Sequence, residues 1–321
     1  MRTPPSAGSL PADANVLVSA DAWLSAGRRV WLATVVHTYG SAPRPVGSMA
    51  AIDDLGHVAG SVSGGCVEDH LVDRLRHDTR HCDQPRLVRY GVDADDRDRL
   101  RLPCNGHIEV WLEPLTANGV RALLARLEGG RTLLRTIDLV TGASRLEESP
   151  RATRSERRGD GFHHRLGPGF RLVMVGAGDV SRYLAPIALS LGFRVDVVEP
   201  REEYLSTWPV AGCHLSPAMP DDFLASAPPD AFTAVVALSH DPRLDELALI
   251  DALASPLLYV GALGSARTTP AVEARLALFD ISPSQQQALR RPVGAPIGAK
   301  TAPQIAVAIA ADLVAVAAAA G

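Results

Sequence analysis

Residues 171–181 read RLVMVGAGDVS and join an apolar run to a glycine turn and the start of a helical pattern. In a strand–turn–helix unit of this kind, Gly176 permits the tight turn and Gly178 lets the backbone approach a phosphate. The small side chain of Ser181 lets the helix pack closely on the strand. The first helical turn offers unpaired N–H groups and a positive dipole end to an anion. The stretch therefore predicts the first strand and helix of a nucleotide-binding parallel sheet.

Strand and helix patterns alternate through the rest of the second half of the chain. The predicted strands cover residues 171–175, 194–199, 234–238 and 257–260, and helical patterns follow at 180–191, 243–254 and 270–279. Such alternation predicts a parallel sheet that is covered by helices on both faces. We expect a C-terminal Rossmann-like domain over residues 169–321.

Glu199 ends the second predicted strand of this domain, about twenty residues after the glycine turn. An acid at this position often binds a ribose hydroxyl of a dinucleotide. Because Rossmann-like domains host many ligands, the fold alone does not name one. It stays open whether the turn binds NAD(P) or whether its glycines only make a tight turn.

The first half of the chain mixes strand and helix patterns and predicts an α+β domain over residues 17–141. A β-branched run at 30–37 predicts a buried strand. Residues 49–53 and 57–61 flank an Asp54-Leu55-Gly56 turn, as in a β-hairpin. The overall prediction is therefore an α/β protein with an N-terminal α+β domain followed by the Rossmann-like domain.

Two segments outside these domains lack a regular pattern. Residues 1–16 are rich in Pro, Ala, Ser and Gly, have no apolar core of a secretory signal, and are expected to be a disordered lead-in. Residues 142–168 are charged and mixed, and predict a linker or a long exposed hairpin.

Composition and charge restrict the class of protein. The formal net charge is −4, so no basic excess favours binding to nucleic acid. The apolar stretch 305–320 is short for a bilayer span and contains Asp312, so it predicts a buried terminal helix rather than a membrane anchor. The 4 cysteines form no C-x-x-C pair and no disulfide-dense pattern, which favours the reducing cytoplasm.

Three segments together resemble the XdhC/CoxI family. The first is TVVHTYGSAPRPVGSMAAIDDLGHVAGSVSGGCVED at 34–69, and the second is LPCNGHIEVWLEPL at 102–115. The third is the C-terminal half, from GAGDVSRYLAPIALSLGF at 176–193 to APIGAKTAPQIA at 295–306. The chain departs from the family pattern at Asn105, where Gly is usual. It also departs at Ala295-Pro296, where the family has Leu-Asp, and at Pro303, where it has Glu.

The resemblance implies an accessory factor that carries molybdenum cofactor (a molybdopterin) rather than an enzyme with its own turnover. By that resemblance the chain binds the cofactor in a cleft between its domains, protects it while a cysteine desulfurase-type donor supplies the terminal sulfido ligand, and delivers it to the apoenzyme. The client is a molybdenum hydroxylase of the xanthine dehydrogenase type. The Ala-rich stretch 305–320 is expected to supply a homodimer face.

Two cysteines are candidates for contact with this cargo. Gly64 and Gly65 precede Cys66 at a predicted helix start, a position that exposes backbone N–H groups and favours the thiolate. A thiolate there is a candidate molybdenum ligand or sulfur carrier, since soft metals favour sulfur. Cys104 lies at a turn before Asn105-Gly106. The alternative for both is a packed structural cysteine.

Further candidates lie where predicted strands of the second half end. His240 follows the third strand, and the Gly261-Ala262-Leu263-Gly264-Ser265 segment with Arg267 follows the fourth. In open α/β sheets, ligands bind at this edge, so we expect a shared rim with Gly176 and Gly178. For His240 the alternative is a helix cap, and for the glycine-rich segment it is a loop with Ser265 as the cap.

Two rival functions stay open. An NAD(P)-dependent oxidoreductase is supported by the glycine turn and Glu199, but a Tyr-x-x-x-Lys pair for hydride transfer is absent from the sequence. A pure interaction protein with an empty Rossmann-like domain is the third hypothesis. Near the first domain's Gly/Pro-rich loop, His37, Tyr39 and Arg44 are also notable, with Arg44 a candidate for the cofactor phosphate.

Overall fold

The computed structural model describes residues 14–39, 44–77, 83–91, 107–128, 130–149, 154–264 and 269–320. These residues form two compact units, which meet in the chain between Gly167 and Pro168. The first unit contains antiparallel sheets and the second a parallel sheet. This arrangement confirms the predicted fold class of an α+β domain followed by a Rossmann-like domain.

The main sheet of the first unit has five strands in the order β3-β2-β1-β5-β4, and all of its pairs are antiparallel. The strands are β1 (Val30–Tyr39), β2 (Met49–Asp53), β3 (Val58–Gly60), β4 (Arg86–Tyr90) and β5 (His107–Pro114). The predicted hairpin is confirmed, because β2 and β3 pair around the 54–56 turn.

The described part of this unit contains the helices α1 (Ala14–Ser25), α2 (Cys66–His77) and α3 (Ala117–Leu127). Helix α2 buries Val67, Leu71 and Leu75 against one face of the sheet, as the spacing of its apolar residues predicts. Helix α1 begins inside the segment that we expected to be a disordered lead-in. Its residues Ala14 and Val16 are buried, so apolar contacts order this part of the segment.

The segment 142–168, expected to be a linker or a long exposed hairpin, contains three strands, of which the second and third pair as a hairpin. Strands β7 (Ser144–Glu148), β8 (Glu156–Arg158) and β9 (Gly161–Leu166) join β6 (Leu133–Asp138) in a second antiparallel sheet, in the order β7-β6-β9-β8. The segment is therefore part of the first unit. Its charged composition hides a strand pattern in which Phe162, His164 and Leu166 are buried at every second position of β9.

The second unit contains a six-stranded parallel sheet in the order β12-β11-β10-β13-β14-β15. The strands are β10 (Phe170–Val175), β11 (Phe193–Val198), β12 (His214–Ser216), β13 (Thr233–Ala237), β14 (Tyr259–Ala262) and β15 (Leu289–Arg290). The strand order reverses between β10 and β13. In sheets of this type, the carboxyl ends of the strands at such a reversal form the usual ligand position.

Helices cover both faces of this sheet. They are α4 (Asp179–Ser190), α5 (Glu202–Leu205), α6 (Pro220–Ser226), α7 (Pro242–Leu253), α8 (Thr269–Ala277), α9 (Pro283–Gln286) and α10 (Ala302–Ala320). Helices α4 and α10 contribute to the core on one face. Helices α6, α7 and α8 contribute to the core on the other. The near-continuous apolar strands are thus buried from both sides, as parallel sheets require.

Helix α10 is the one helix in the described ranges that is long and apolar enough to cross a membrane by length and composition. In the fold, its residues Ala306, Ile309 and Leu313 are buried in the core that α10 shares with α4. The prediction of a buried terminal helix is therefore confirmed for the inner face of α10.

Candidate functional site

A single carboxylate organises the glycine loop that precedes Cys66. The Glu68 loop, residues 61–65, wraps around the side chain of Glu68. The main-chain N–H groups of residues 62–65 donate to its two oxygens at 2.7 to 3.3 Å. The hydroxyl of Ser61 donates at 2.7 Å, and the hydroxyl of Ser63 donates to the second oxygen. Six hydrogen-bond donors are therefore bonded to the buried carboxylate of Glu68.

The charge of Glu68 is stabilised by these donors. Burial by itself raises the pKa of Glu68, but the hydrogen bonds from Ser63 and Ser61 outweigh it and hold the pKa at about 2. The carboxylate also lies in the first turn of α2, where the helix dipole favours a negative charge. Glu68 is therefore ionised at neutral pH and fixes the loop to the helix.

From the sequence alone, Glu68 is only a candidate for a surface or capping residue. The signal in the sequence is an acid at the third position of the helix, preceded by serines. Such an acid is one half of a capping box. Gly65, directly before α2, donates its N–H to Glu68 at 3.0 Å as that motif predicts. The extra bonds to residues 62–64 depend on how the loop curls back, which spacing does not encode.

Cys66 is the first residue of α2, and it is exposed. Gly64 and Gly65 adopt φ of +92° and +143°, a backbone region that favours glycine, and a side chain at either position would meet nothing within 4 Å. Their N–H groups were expected to face a ligand, but they donate to Glu68 instead. The exposed thiol of Cys66 therefore follows a loop that is held in place. The main-chain N–H groups of that loop are already hydrogen-bonded to Glu68.

The other cysteines differ from Cys66. Cys213 is partly buried, and burial raises the pKa of its thiol to about 11, which agrees with a structural role. Cys104 and Cys82 lie outside the described residues. Within the described ranges, no group of three or more His, Cys, Asp or Glu side chains could hold a metal ion.

In the second unit, the glycine turn joins β10 to α4 as predicted. Gly176 has φ of +105°, and its N–H donates to the carbonyl of Val198 at 2.8 Å. A side chain at Gly176 would place its Cβ 2.5 Å from the Cα of Ser239 in the loop after β13. Ser181 is buried, and its hydroxyl donates to the carbonyl of Gly176 at 2.6 Å. Gly178 caps α4 without a side-chain hydrogen bond.

Glu199 lies just after β11 and is fully buried. One oxygen accepts from the main-chain N–H of Ala177 at 3.1 Å, and Arg201 donates to both oxygens at 2.7 and 2.8 Å. Burial raises the pKa of Glu199, but the hydrogen bonds from Arg201 and Ala177 outweigh it and hold the pKa below its usual value. In this conformation Glu199 holds the glycine turn in place through its hydrogen bond with Ala177. Neither of its oxygens is exposed to a ribose hydroxyl.

The loop between β13 and α7 contains His240. This exposed histidine has φ of +61°, a left-handed conformation that is uncommon outside glycine. Asp241 is the cap of α7, because its side chain accepts from the N–H of Arg243 at 3.0 Å. The alternative that His240 caps this helix is therefore wrong. Ser239 donates through its N–H and hydroxyl to Asp245, which lies on the first turns of α7.

The predicted rim is present in part. Gly176, His240 and Gly264 follow the carboxyl ends of β10, β13 and β14, which lie at one edge of the parallel sheet. Gly261 lies inside β14 rather than in the loop after it, and a side chain there would contact Val293. Ser265 and Arg267 lie outside the described residues.

A cavity of about 420 Å³ lies beyond this edge, between the loop 292–299 and the start of α10. Ala295 and Pro296, which depart from the family pattern, line it together with Val293 and Ile305. Among the described residues, those that line this cavity have no charged side chain.

Comparisons with known proteins agree with this architecture. A family model described as the XdhC Rossmann domain matches residues 172–313, and one described as the XdhC and CoxI family matches residues 23–91. The "molybdenum cofactor insertion chaperone PaoD" of Escherichia coli K12 is 29% identical over 294 residues, which cover 91% of this chain and 85% of the relative.

A second relative, from Bacillus subtilis 168, is named as a probable subunit of xanthine dehydrogenase. It is 28% identical over 328 residues, covering 92% of this chain and 95% of the relative. A crystal structure described as that of a xanthine dehydrogenase from Bacillus halodurans superposes with a TM-score of 0.75 at 24% identity and covers 96% of both chains. At that identity the superposition supports the fold.

Proposed function

This chain belongs to the XdhC and CoxI family, and on that basis we propose that it is an accessory factor that binds molybdenum cofactor as its cargo. It protects the cofactor while a cysteine desulfurase-type donor supplies the terminal sulfido ligand. It then delivers the cofactor to the apoenzyme of a xanthine dehydrogenase-type molybdenum hydroxylase. The names of the relatives that align along most of the chain support this role. The proposed place of action is the cytoplasm, where thiols stay reduced.

The observation that carries the proposal is the exposed thiol of Cys66, which directly follows the Glu68 loop at the start of α2. A ligand that must hold a metal needs a fixed position, because a mobile side chain loses entropy on binding. The six bonds to Glu68 fix the loop before any cargo arrives. Sulfur ligands suit a soft metal. Cys66 is therefore the residue that we assign to the molybdenum.

The second unit offers a different kind of contact. Helix α4 begins at Gly178 without a side-chain cap, so its first N–H groups are available to an anion. His240 follows β13 at the same sheet edge. We assign these groups of the second unit to the binding of an anion at that edge.

The rival hypothesis of an NAD(P)-dependent oxidoreductase is weakened by Glu199. Standard recognition of a ribose needs free carboxylate oxygens at this position. Both oxygens of Glu199 are bonded to Arg201 and to the turn itself. Binding of NAD in the usual way would first have to break a buried ion pair.

The test is co-purification of cargo. The wild-type chain and the Cys66→Ser variant are expressed in a host that makes molybdenum cofactor, and molybdenum is measured by elemental analysis and pterin by fluorescence after oxidation. The Cys213→Ser variant is the matched control, because Cys213 is a partly buried thiol in the other unit. We expect wild type and Cys213→Ser to retain both components near one per chain, and Cys66→Ser to lose molybdenum.

Absence of molybdenum and pterin from the wild-type protein, together with saturable binding of NAD(H), would overturn the carrier function in favour of the oxidoreductase. Equal molybdenum in wild type and Cys66→Ser would remove Cys66 from the site while leaving the carrier function in place.

A further inference from the structure

Three aromatic rings lie together at one end of the five-stranded sheet. Tyr39 ends β1 and pairs across the strands with His107, the first residue of β5. Their rings stack with centroids 5.6 Å apart and planes inclined by 15°. His37 adds a third ring, 5.4 Å from that of His107. Tyr39 is 68% exposed, so one end of this ring cluster is open to solvent.

The ring cluster offers polar groups as well as a flat surface. Neither His37 nor His107 has a hydrogen-bond partner for its imidazole among the described residues. A flat heterocycle could therefore stack on Tyr39 and bond to an imidazole through its edge, which is how aromatic side chains recognise bases. An apolar partner protein would leave these nitrogens buried without partners, and that is unfavourable.

Positive charge lies beside the rings. Glu109 follows His107 by two residues on the same face of β5, and it pairs with His37 across the strands. Its carboxylate accepts from Arg89 at 3.1 Å and also from Arg157. Two guanidinium groups share one carboxylate, so one positive charge remains uncompensated within this group. The surroundings therefore favour a ligand that carries an anionic substituent.

The same end of the sheet presents Cys66. Strands β1, β3 and β4 end here, and β2 and β5 begin here, as their antiparallel pairings require. The Glu68 loop follows β3 directly. His70, one helical turn after Cys66, lies with its Nδ1 3.3 Å from the hydroxyl of Tyr90, and Tyr90 pairs with Ile108 next to His107. The thiol and the ring cluster therefore lie toward one end of one sheet but on opposite faces, because α2 packs on the face of Ile108 and His107 is on the other.

We propose that Tyr39, His107 and His37 form the surface on which the pterin ring of the cargo stacks. This inference rests on the proposed function, and it deepens it by adding a site for the organic part of the cofactor to the thiol for the metal. The occupant is a planar heteroaromatic ring with an anionic substituent. Tyr39 supplies the exposed face, the imidazoles supply edge hydrogen bonds, and the arginines beside Glu109 supply the charge.

The experiment compares Tyr39→Leu, Tyr39→Phe and Tyr183→Leu with wild type. Tyr183 is a half-exposed tyrosine in the second unit and serves as the matched control. Retained pterin per chain is measured after expression in the cofactor-producing host. Each protein is also titrated with free pterin-6-carboxylate, and quenching of the pterin fluorescence is followed. Because loss of one stacking partner weakens binding of a base about 5- to 140-fold, we expect a loss of that order in Tyr39→Leu. Tyr39→Phe and Tyr183→Leu should match wild type.

The two hypotheses fail in different ways. If wild type retains cofactor and Tyr39→Leu retains and binds pterin equally well, the ring cluster is not the site and the carrier function stands. If wild type retains no cofactor but binds free pterin in a manner that Tyr39→Leu abolishes, the carrier function fails and the stacking site stands. Absence of saturable pterin binding in wild type would overturn the stacking site.

Discussion

Replacement of Glu68 by Gln should unfold the first unit at lower denaturant concentration than wild type. Glutamine has nearly the same shape, but its amide NH2 group cannot accept hydrogen bonds. One side of the carboxylate accepts from the N–H of Gly65 and the hydroxyl of Ser63, and the other side accepts the remaining donors. Whichever way the amide turns, at least one main-chain N–H then faces another donor, because a main-chain N–H, unlike a serine hydroxyl, cannot accept.

The magnitude follows from the titration of Glu68. Its pKa falls from an ordinary value of 4.5 to about 2 in the fold. Because the folded pKa lies below the unfolded one, the stabilisation is present above pH 4.5 and is lost as the pH falls toward 2. At about 1.4 kcal/mol per pH unit, the charged carboxylate contributes roughly 3 kcal/mol at neutral pH. We expect Glu68→Gln to lose about that amount at pH 7 and much less near pH 2.

Urea unfolding followed by tryptophan fluorescence measures this loss, since Trp31 and Trp111 are both buried in the first unit. Hydrogen exchange of a peptide that covers residues 61–66 reports the loop itself, and its amides should lose protection in Glu68→Gln. The control is Glu148→Gln, an exposed acid paired with Arg131 at 2.9 Å, whose loss should cost under about 1 kcal/mol. A stability of Glu68→Gln within about 0.5 kcal/mol of wild type at pH 7, with unchanged exchange at 61–66, would refute the reasoning.

Three further predictions concern other parts of the chain. Gly176→Ala should destabilise the second unit by about 2 kcal/mol or more, because φ is +105° and the new Cβ meets the backbone of Ser239; a melting temperature equal to wild type would contradict this. Asp241→Ala should cost about 1 kcal/mol by removing the cap of α7, whereas Asp241→Asn should lose little, as thermal unfolding can check. Burial, together with the charge of Arg135, lowers the pKa of His164 to about 3, so the unfolded chain binds a proton that the fold excludes. Stability should therefore decline as the pH falls from about 6.5, and His164→Gln should reduce that slope; an unchanged slope would show that His164 is not its source.

Local patterns explain which parts of the fold were predictable. The turn at Gly176, the helix at Cys66–His77 and the strand–helix alternation depend on neighbours within a few residues, so the sequence encodes them directly. Strand β9 was missed because charged residues obscure the alternation of Phe162, His164 and Leu166. Its partner β6 lies more than twenty residues earlier in the chain, and pairing at that distance has no local signal.

The candidate site likewise has features that the local sequence predicts and features that it does not. Cys66 at the start of a helix was predictable from the two glycines before it. The binding of the loop amides to Glu68 was not, because it depends on the curl of residues 61–65 around a side chain further along the chain. Glu199 lies where an acid often binds a ribose hydroxyl, but Arg201, two residues later, bonds to both of its oxygens. The presence of an acid at the expected position therefore does not establish that it binds a ribose.

A transfer assay tests most directly the proposed delivery of the cargo to another enzyme. Cofactor-loaded chain is mixed with the apoenzyme of a xanthine dehydrogenase-type hydroxylase, with the sulfur donor present, and hydroxylase activity is followed together with the pterin that remains on the chain. We predict that activity appears as pterin leaves the chain in equal molar amounts, and that chain purified as Cys66→Ser supports little activity. An apoenzyme that stays inactive with loaded chain, but becomes active with free cofactor at the same concentration, would contradict the account.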